Sequence, residues 1–195
     1  MFGLLLPSGL AVALALALGG SFAGWRRACV QWWPAAVGAF GLEFLLFSPA
    51  LNQQPWALVV GAPIWVAARM VLLGVLLRNV ATTRQARLAW SIAAVGVGLN
   101  TLVIVLNDGH MPESASAAVA VWGPASAAGG FAAERLDNVS RLDAASSLGW
   151  LSDTLPEPTW LPRPNVVSPG DLLLSVGMAG WLFRLTRPDN SGASP

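Results

Sequence analysis

The sequence predicts an all-α membrane protein with five transmembrane helices, its N-terminus outside and its C-terminus cytoplasmic. A partly helical outer segment is expected between helices four and five. Three observations lead there. Only 11% of residues are charged and 55% are hydrophobic, whereas a soluble domain is about 25% charged. Long apolar segments alternate with short connections that carry arginine. Eight of the ten acidic residues lie between Asp108 and Asp171, with only Arg135, Arg141 and Arg163 among them, a net charge of about −5. Arg26, Arg27, Arg78, Arg84, Arg87, Arg184 and Arg187 sit in the other connections, as cytoplasmic loops require.

The composition also excludes partners. A net charge of +1, with no arginine-rich face, leaves nothing to neutralise the phosphates of a nucleic acid. A single cysteine, Cys29, supplies neither an internal disulfide nor a zinc cluster. Lysine and tyrosine are absent, so interfacial anchoring falls to arginine and to ten tryptophans.

The elements follow in order. Residues 1–107 hold four spans. The first, about 2–25, is uncharged and tolerates Pro7 in its first turns. The Ser21-Phe22-Ala23 stretch resembles a cleavage site, but no basic region precedes the apolar run, so the helix is read as retained. The second span, about 31–48, opens with Trp32 and Trp33 at the interface and Pro34 in the first turn, and Pro49 stops it. The third runs from about 56 to 78 and the fourth from about 88 to 107. Residues 108–168 form an extracytoplasmic cap holding six of the chain's fourteen prolines, too long to lack structure of its own. Helices are expected at 112–122 and 139–150, the second capped by Asp137 or Asn138, with extended chain over 154–167. Residues 169–187 form the fifth span and 188–195 a polar cytoplasmic tail. Five crossings place every arginine connection inside, whereas four would put one arginine pair on the wrong side.

Two charges fall within the bilayer. Glu43 lies nine residues beyond Pro34 and Arg69 nine residues before Arg78, so both sit about 13 Å from the inner boundary. The two helices are consecutive and antiparallel, and a direct ion pair is expected. Each charge alone would cost at least ~2.5 kcal/mol at that depth. One reading makes the pair a pin that fixes helix register, the other a proton or ion step at Glu43 tuned by Arg69. Small residues four apart (Gly20 and Gly24, Ala94 and Gly98, Ser175 and Ala179) allow close helix packing.

The outer face carries the remaining polar candidates. His110 is the only histidine. It could serve as an axial ligand to a haem or chlorophyll-type cofactor, or stand as a solvated interfacial side chain. A metal site with Asp153 or Asp171, or a hydrolytic site drawn from Ser146 or Ser168, finds no supporting motif. No metal site and no catalytic residue is therefore predicted. Ser168-Pro169-Gly170-Asp171 reads as a capping box that opens the last helix. Asn138-Val139-Ser140 matches a glycosylation sequon.

Three stretches then carry a resemblance. Asn107-Asp108-Gly109-His110-Met111-Pro112 resembles an Asn-Gly-Gly-x-Met-Pro signature. Ser146-Ser147-Leu148-Gly149-Trp150-Leu151-Ser152-Asp153 resembles Thr-x-Leu-x-x-Leu-Gly-Asp, and Ser168-Pro169-Gly170-Asp171 resembles Ser-x-Gly-Asp before a final helix. In this order they are similar to an uncharacterised bacterial multi-pass membrane family, domain of unknown function 5317. The resemblance implies a location in the bacterial cytoplasmic membrane and no mechanism. Asp108 departs from the signature's glycine, and His110 fills its variable position. Shared function would then rest on Asn107, Gly109, Pro112, Asp153 and Asp171.

The expected function is that of a non-catalytic accessory subunit of a membrane complex. Its partners would be the lipid bilayer and other membrane proteins, met through Trp122, Trp150 and Trp160. The alternatives are a small transporter using Glu43 and Arg69, and a cofactor- or pigment-binding subunit centred on His110.

Overall fold

The computed structural model describes residues 2–124 and 136–187. Six α-helices are present among them: α1 (Phe2–Ala17), α2 (Trp33–Leu46), α3 (Pro55–Thr82), α4 (Arg87–Leu106), α5 (Ala115–Trp122) and α6 (Pro169–Thr186). Four short strands accompany them: β1 (Met111–Glu113), β2 (Val139–Arg141), β3 (Leu155–Pro156) and β4 (Val166–Val167). Two stretches are long and apolar enough to cross a membrane, Pro55–Thr82 and Arg84–Leu106.

The long helices form a row. α2 packs on α3, α3 on α4, α4 on α6, and α6 on α1. The last helix of the chain is thus inserted between α4 and α1.

The α4–α6 contact is the tightest, and glycine explains it. A Cβ on Gly177 would lie 2.6 Å from the Ala93 backbone nitrogen, and one on Gly96 would collide with the Gly170 carbonyl. Backbone approaches of this kind gain dispersion contacts along the whole seam. Trp90 and Trp181 close it, with ring centroids 4.8 Å apart. Of the small pairs read from the sequence, Gly20 and Gly24 do abut a neighbour, the backbone of Thr186 and Leu185. Ala94 and Gly98 are not the residues of closest approach; Ala93 and Gly96 are, one face over.

α1 is shorter than the apolar run suggests. It ends at Ala17, because Gly19 takes a φ of +84° and turns the chain, and residues Phe22–Arg27 continue as a 3-10 helix. This turn is fastened to the end of α6: the Ser21 N–H donates to the Thr186 carbonyl at 2.7 Å and Trp25 Nε1 to Thr186 Oγ1 at 3.0 Å. The 3-10 turn Arg84–Ala86 also packs against α6. Arg26, Arg84 and Arg187 therefore sit on connections gathered at one end of the row.

The other end carries the cap. Pro112 does not begin a helix, because Met111–Glu113 pairs in parallel with Val139–Arg141. α5 starts after Ser114, whose Oγ accepts the Ala117 N–H at 3.3 Å. The helix expected over 139–150 is replaced by β2, a turn and the 3-10 helix Gly149–Leu151. Asp143 Oδ1 accepts the Ala145 and Ser146 N–H groups at 2.9 and 3.0 Å, a local bonding that competes with helix formation. The stretch expected to be extended contains the antiparallel pair β3–β4. Leu46, Trp65, Val103, Met111, Leu136 and Leu151 form one core joining α2, α3 and α4 to the cap. The segment 188–195 lies outside the described residues.

Candidate functional site

The signature residues lock the cap onto the helix ends. Asn107 follows α4, and its amide works as a double clamp. Oδ1 accepts the Ser147 N–H at 2.8 Å, and Nδ2 donates to the Ser147 carbonyl at 3.0 Å and to the Val103 carbonyl at 2.7 Å. Asp108 has a φ of +55°, a left-handed conformation that aspartate tolerates better than most residues. That is the position where the resembling signature carries glycine. Gly109, at φ +81°, passes so close to α3 that a Cβ would lie 2.5 Å from the Ala62 methyl carbon. The His110 N–H donates to the Asn107 carbonyl at 3.0 Å, closing the turn. Met111 and Pro112 are buried, and the Pro112 carbonyl accepts the Asp153 N–H at 3.0 Å.

A second lock holds the start of α6. Ser168 Oγ accepts the Asp171 N–H at 3.0 Å, Asp171 Oδ2 accepts the Ser168 N–H at 3.1 Å, and together they make a capping box. Asn100 of α4 joins it, donating to Asp171 Oδ1 at 2.8 Å and accepting the Ser168 hydroxyl at 2.9 Å. Gly170 is required here because a Cβ would strike the Asn100 side chain.

Within the helices, Arg69 and Glu43 meet: the guanidinium Nη2 is 3.1 Å from Glu43 Oε2. Arg69 also lies over the Trp65 ring, 5.3 Å from its centroid. A further pin, unforeseen from sequence, is Asn79. Fully buried, it accepts the Gln31 N–H at 2.9 Å and donates to the Gln31 and Val75 carbonyls, tying the entry of α2 to α3.

The cap forms a half-open cavity of about 230 Å³ lined by Glu113, Trp122, Asp137, Asn138, Asp153 and Asn165. Glu113 is 3% exposed, and its carboxylate has no hydrogen bond among the described residues. Asp153 Oδ1 is likewise buried without a hydrogen-bond partner. Burial, and then the charge of Asp137, push Glu113 up to about 7. Burial, and then the charges of Asp171 and Glu113, push Asp153 up to about 8, against a weaker opposing pull from Arg69.

Asp153 is the one cavity residue among the signature residues; Trp122 was read as a partner contact and Asp137 and Asn138 as helix caps. Glu113 was hidden because Pro112 looked like a helix start, which made an acid beside it a first-turn residue facing water. Asp137, Asn138, Trp122 and Asn165 reach the cavity only through the β1–β2 pairing and the return of the chain at 165.

The structure brings neither candidate serine to His110. Ser168 is fully buried in its cap, Ser146 bonds to Asp143, and no hydrogen bond links either to His110 among the described residues. Nor, among those residues, do three or more His, Cys, Asp or Glu side chains converge to hold a metal ion.

No curated protein and no solved structure matches the chain. One family model does match, over residues 29–183, and that span takes in α2 to α5, most of α6, both locks and the cavity. The chain belongs to that family, described as a family of unknown function (DUF5317).

Proposed function

We propose that the chain is a five-span integral membrane protein of the bacterial cytoplasmic membrane, acting as a non-catalytic accessory subunit that presents its cap to another membrane protein. The charge separation supports the topology. Arginine connections gather at one end of the helix row, and the carboxylates of the cap gather at the other. Outward apolar side chains such as Phe44 (79% exposed) and Val59 (76%) suit a lipid environment. α1 and α2 have 16 and 14 residues, against about 20 for a full crossing, so flanking apolar chain completes their spans.

The observation that carries the accessory role is the exposure of two indoles on an anchored cap. Trp150 is 73% exposed and Trp160 is 74% exposed, although Asn107 at the end of α4 holds Ser147 and Trp122 at the end of α5 holds Pro164. Large aromatic side chains held in the open are typical anchors of protein interfaces. Photocrosslinking from positions 150 and 160 in native membranes should trap one partner, and Trp150→Ala with Trp160→Ala should abolish its co-purification. A protein that purifies alone and crosslinks to nothing but lipid would overturn the reading.

A second reading, a carrier that uses Glu43 and Arg69, draws on one observation. Arg69 lies within electrostatic reach of Asp153 in the cap, so the embedded pair and the cavity share a field. The paired replacement of Glu43 by Gln and Arg69 by Met should then abolish flux in liposomes. Cofactor binding at His110 finds no comparable support in the geometry.

A further inference from the structure

We propose that the cap cavity is a binding site for a small organic cation, a compact molecule bearing a primary ammonium or guanidinium group. The inference stands on the cavity and does not depend on the accessory role. A buried carboxylate is normally hydrogen-bonded or paired. Glu113 is neither among the described residues, although it is 3% exposed and lines a cavity of about 230 Å³. Asp153 Oδ1 is buried in the same wall, also without a hydrogen bond. A cation seated between Glu113 and Asp153 would compensate two carboxylates that burial otherwise leaves without a partner.

The rest of the lining selects the kind of cation. Asn138 and Asn165 add amide groups able to accept N–H donors. Trp122 adds an indole whose Nε1 is fixed on the Pro164 carbonyl at 3.2 Å, and an indole face favours an organic cation. A bare metal ion fits less well. Among the described residues no three His, Cys, Asp or Glu side chains converge at ligating separation, and the volume exceeds what one ion fills. The carboxylates are spread along the wall, which suits a molecule with its charge at one end or both.

Calorimetric titration of the purified full-length protein in detergent tests this, with agmatine and 1,4-diaminobutane as probes. Calcium, magnesium and the uncharged 1,4-butanediol serve as comparisons. Saturable binding of a cationic probe is expected, with no binding of the diol. Glu113→Gln and Asp153→Asn keep the shape and remove the charge, so each should weaken binding at least about tenfold. Their melting curves show that the fold is retained. The Glu113→Gln variant should still co-purify with any partner held by Trp150 and Trp160, which separates the two proposals. Absence of saturable binding by both probes would overturn the site. So would binding unchanged in both folded variants, or displacement of the probes by calcium or magnesium at lower concentration.

Discussion

The helix row and the cap bury carboxylates in different ways. In the row, the buried carboxylate of Glu43 meets a cation, Arg69, while Asn79 bonds to Gln31 and Val75 and Asn100 to Ser168 and Asp171; Glu43 Oε1, Arg69 Nε and the Trp65 and Trp90 indole nitrogens stay without a hydrogen bond among the described residues. Between these pins the seam is glycine and alanine against backbone. The cap is fastened as firmly at its edges, yet it encloses Glu113 and Asp153 with carboxylate oxygens that no hydrogen bond satisfies. A fold selected only for stability would not keep such groups, since each costs about 1–3 kcal/mol or more if charged. The contrast assigns architecture to the row and chemistry to the cap.

The pair in the row gives the largest effect. Arg69→Met or Glu43→Gln alone should destabilise by roughly 3–5 kcal/mol, because each leaves one polar partner buried and unmatched. The double variant should recover most of that loss. Thermal unfolding in detergent measures it, and a double variant as unstable as the sum of the singles would refute a simple pin. Next comes the seam. Gly177→Leu drives a branched side chain into the α4 backbone and should cost about 1–3 kcal/mol, read from the same melts. Gly74→Ala is its control, since a Cβ there meets nothing within 4 Å.

A third effect concerns the cap and depends on pH. Glu113 and Asp153 are raised from 4.5 and 3.8 to about 7 and about 8 in the folded protein. The folded state then holds more protons than the unfolded state across that interval. Stability therefore falls as pH rises from about 4 to about 8, through the folded values. Tryptophan-fluorescence melts over this range should show a falling midpoint, and the paired Glu113→Gln and Asp153→Asn variant should flatten it. An unchanged slope in that variant would place the effect elsewhere.

Much of this was legible from residue patterns that act locally. The capping box at Ser168 and Asp171 needs only three residues of spacing, and the structure forms both of its bonds. The depth argument for Glu43 and Arg69 needed only helical rise, and the two side chains meet at 3.1 Å. The cap resisted such reading. Parallel pairing of 111–113 with 139–141 depends on contacts more than twenty residues apart, and nothing in either stretch names the other. Gly96 was passed over for the same reason: close approach depends on which face a neighbour covers, not on spacing alone.

By itself the sequence determined the helical class, the alternation of apolar and charged stretches, and the family to which residues 29–183 belong. These follow from composition, periodicity and short motifs, each of which acts within a few turns of chain. Only the tertiary structure decided that α6 lies between α4 and α1, and that Asn107 holds Ser147. It alone decided that Glu113, Asp137 and Asp153 surround one cavity. The physical reason is that burial of a carboxylate depends on elements that pack against it from distant parts of the chain.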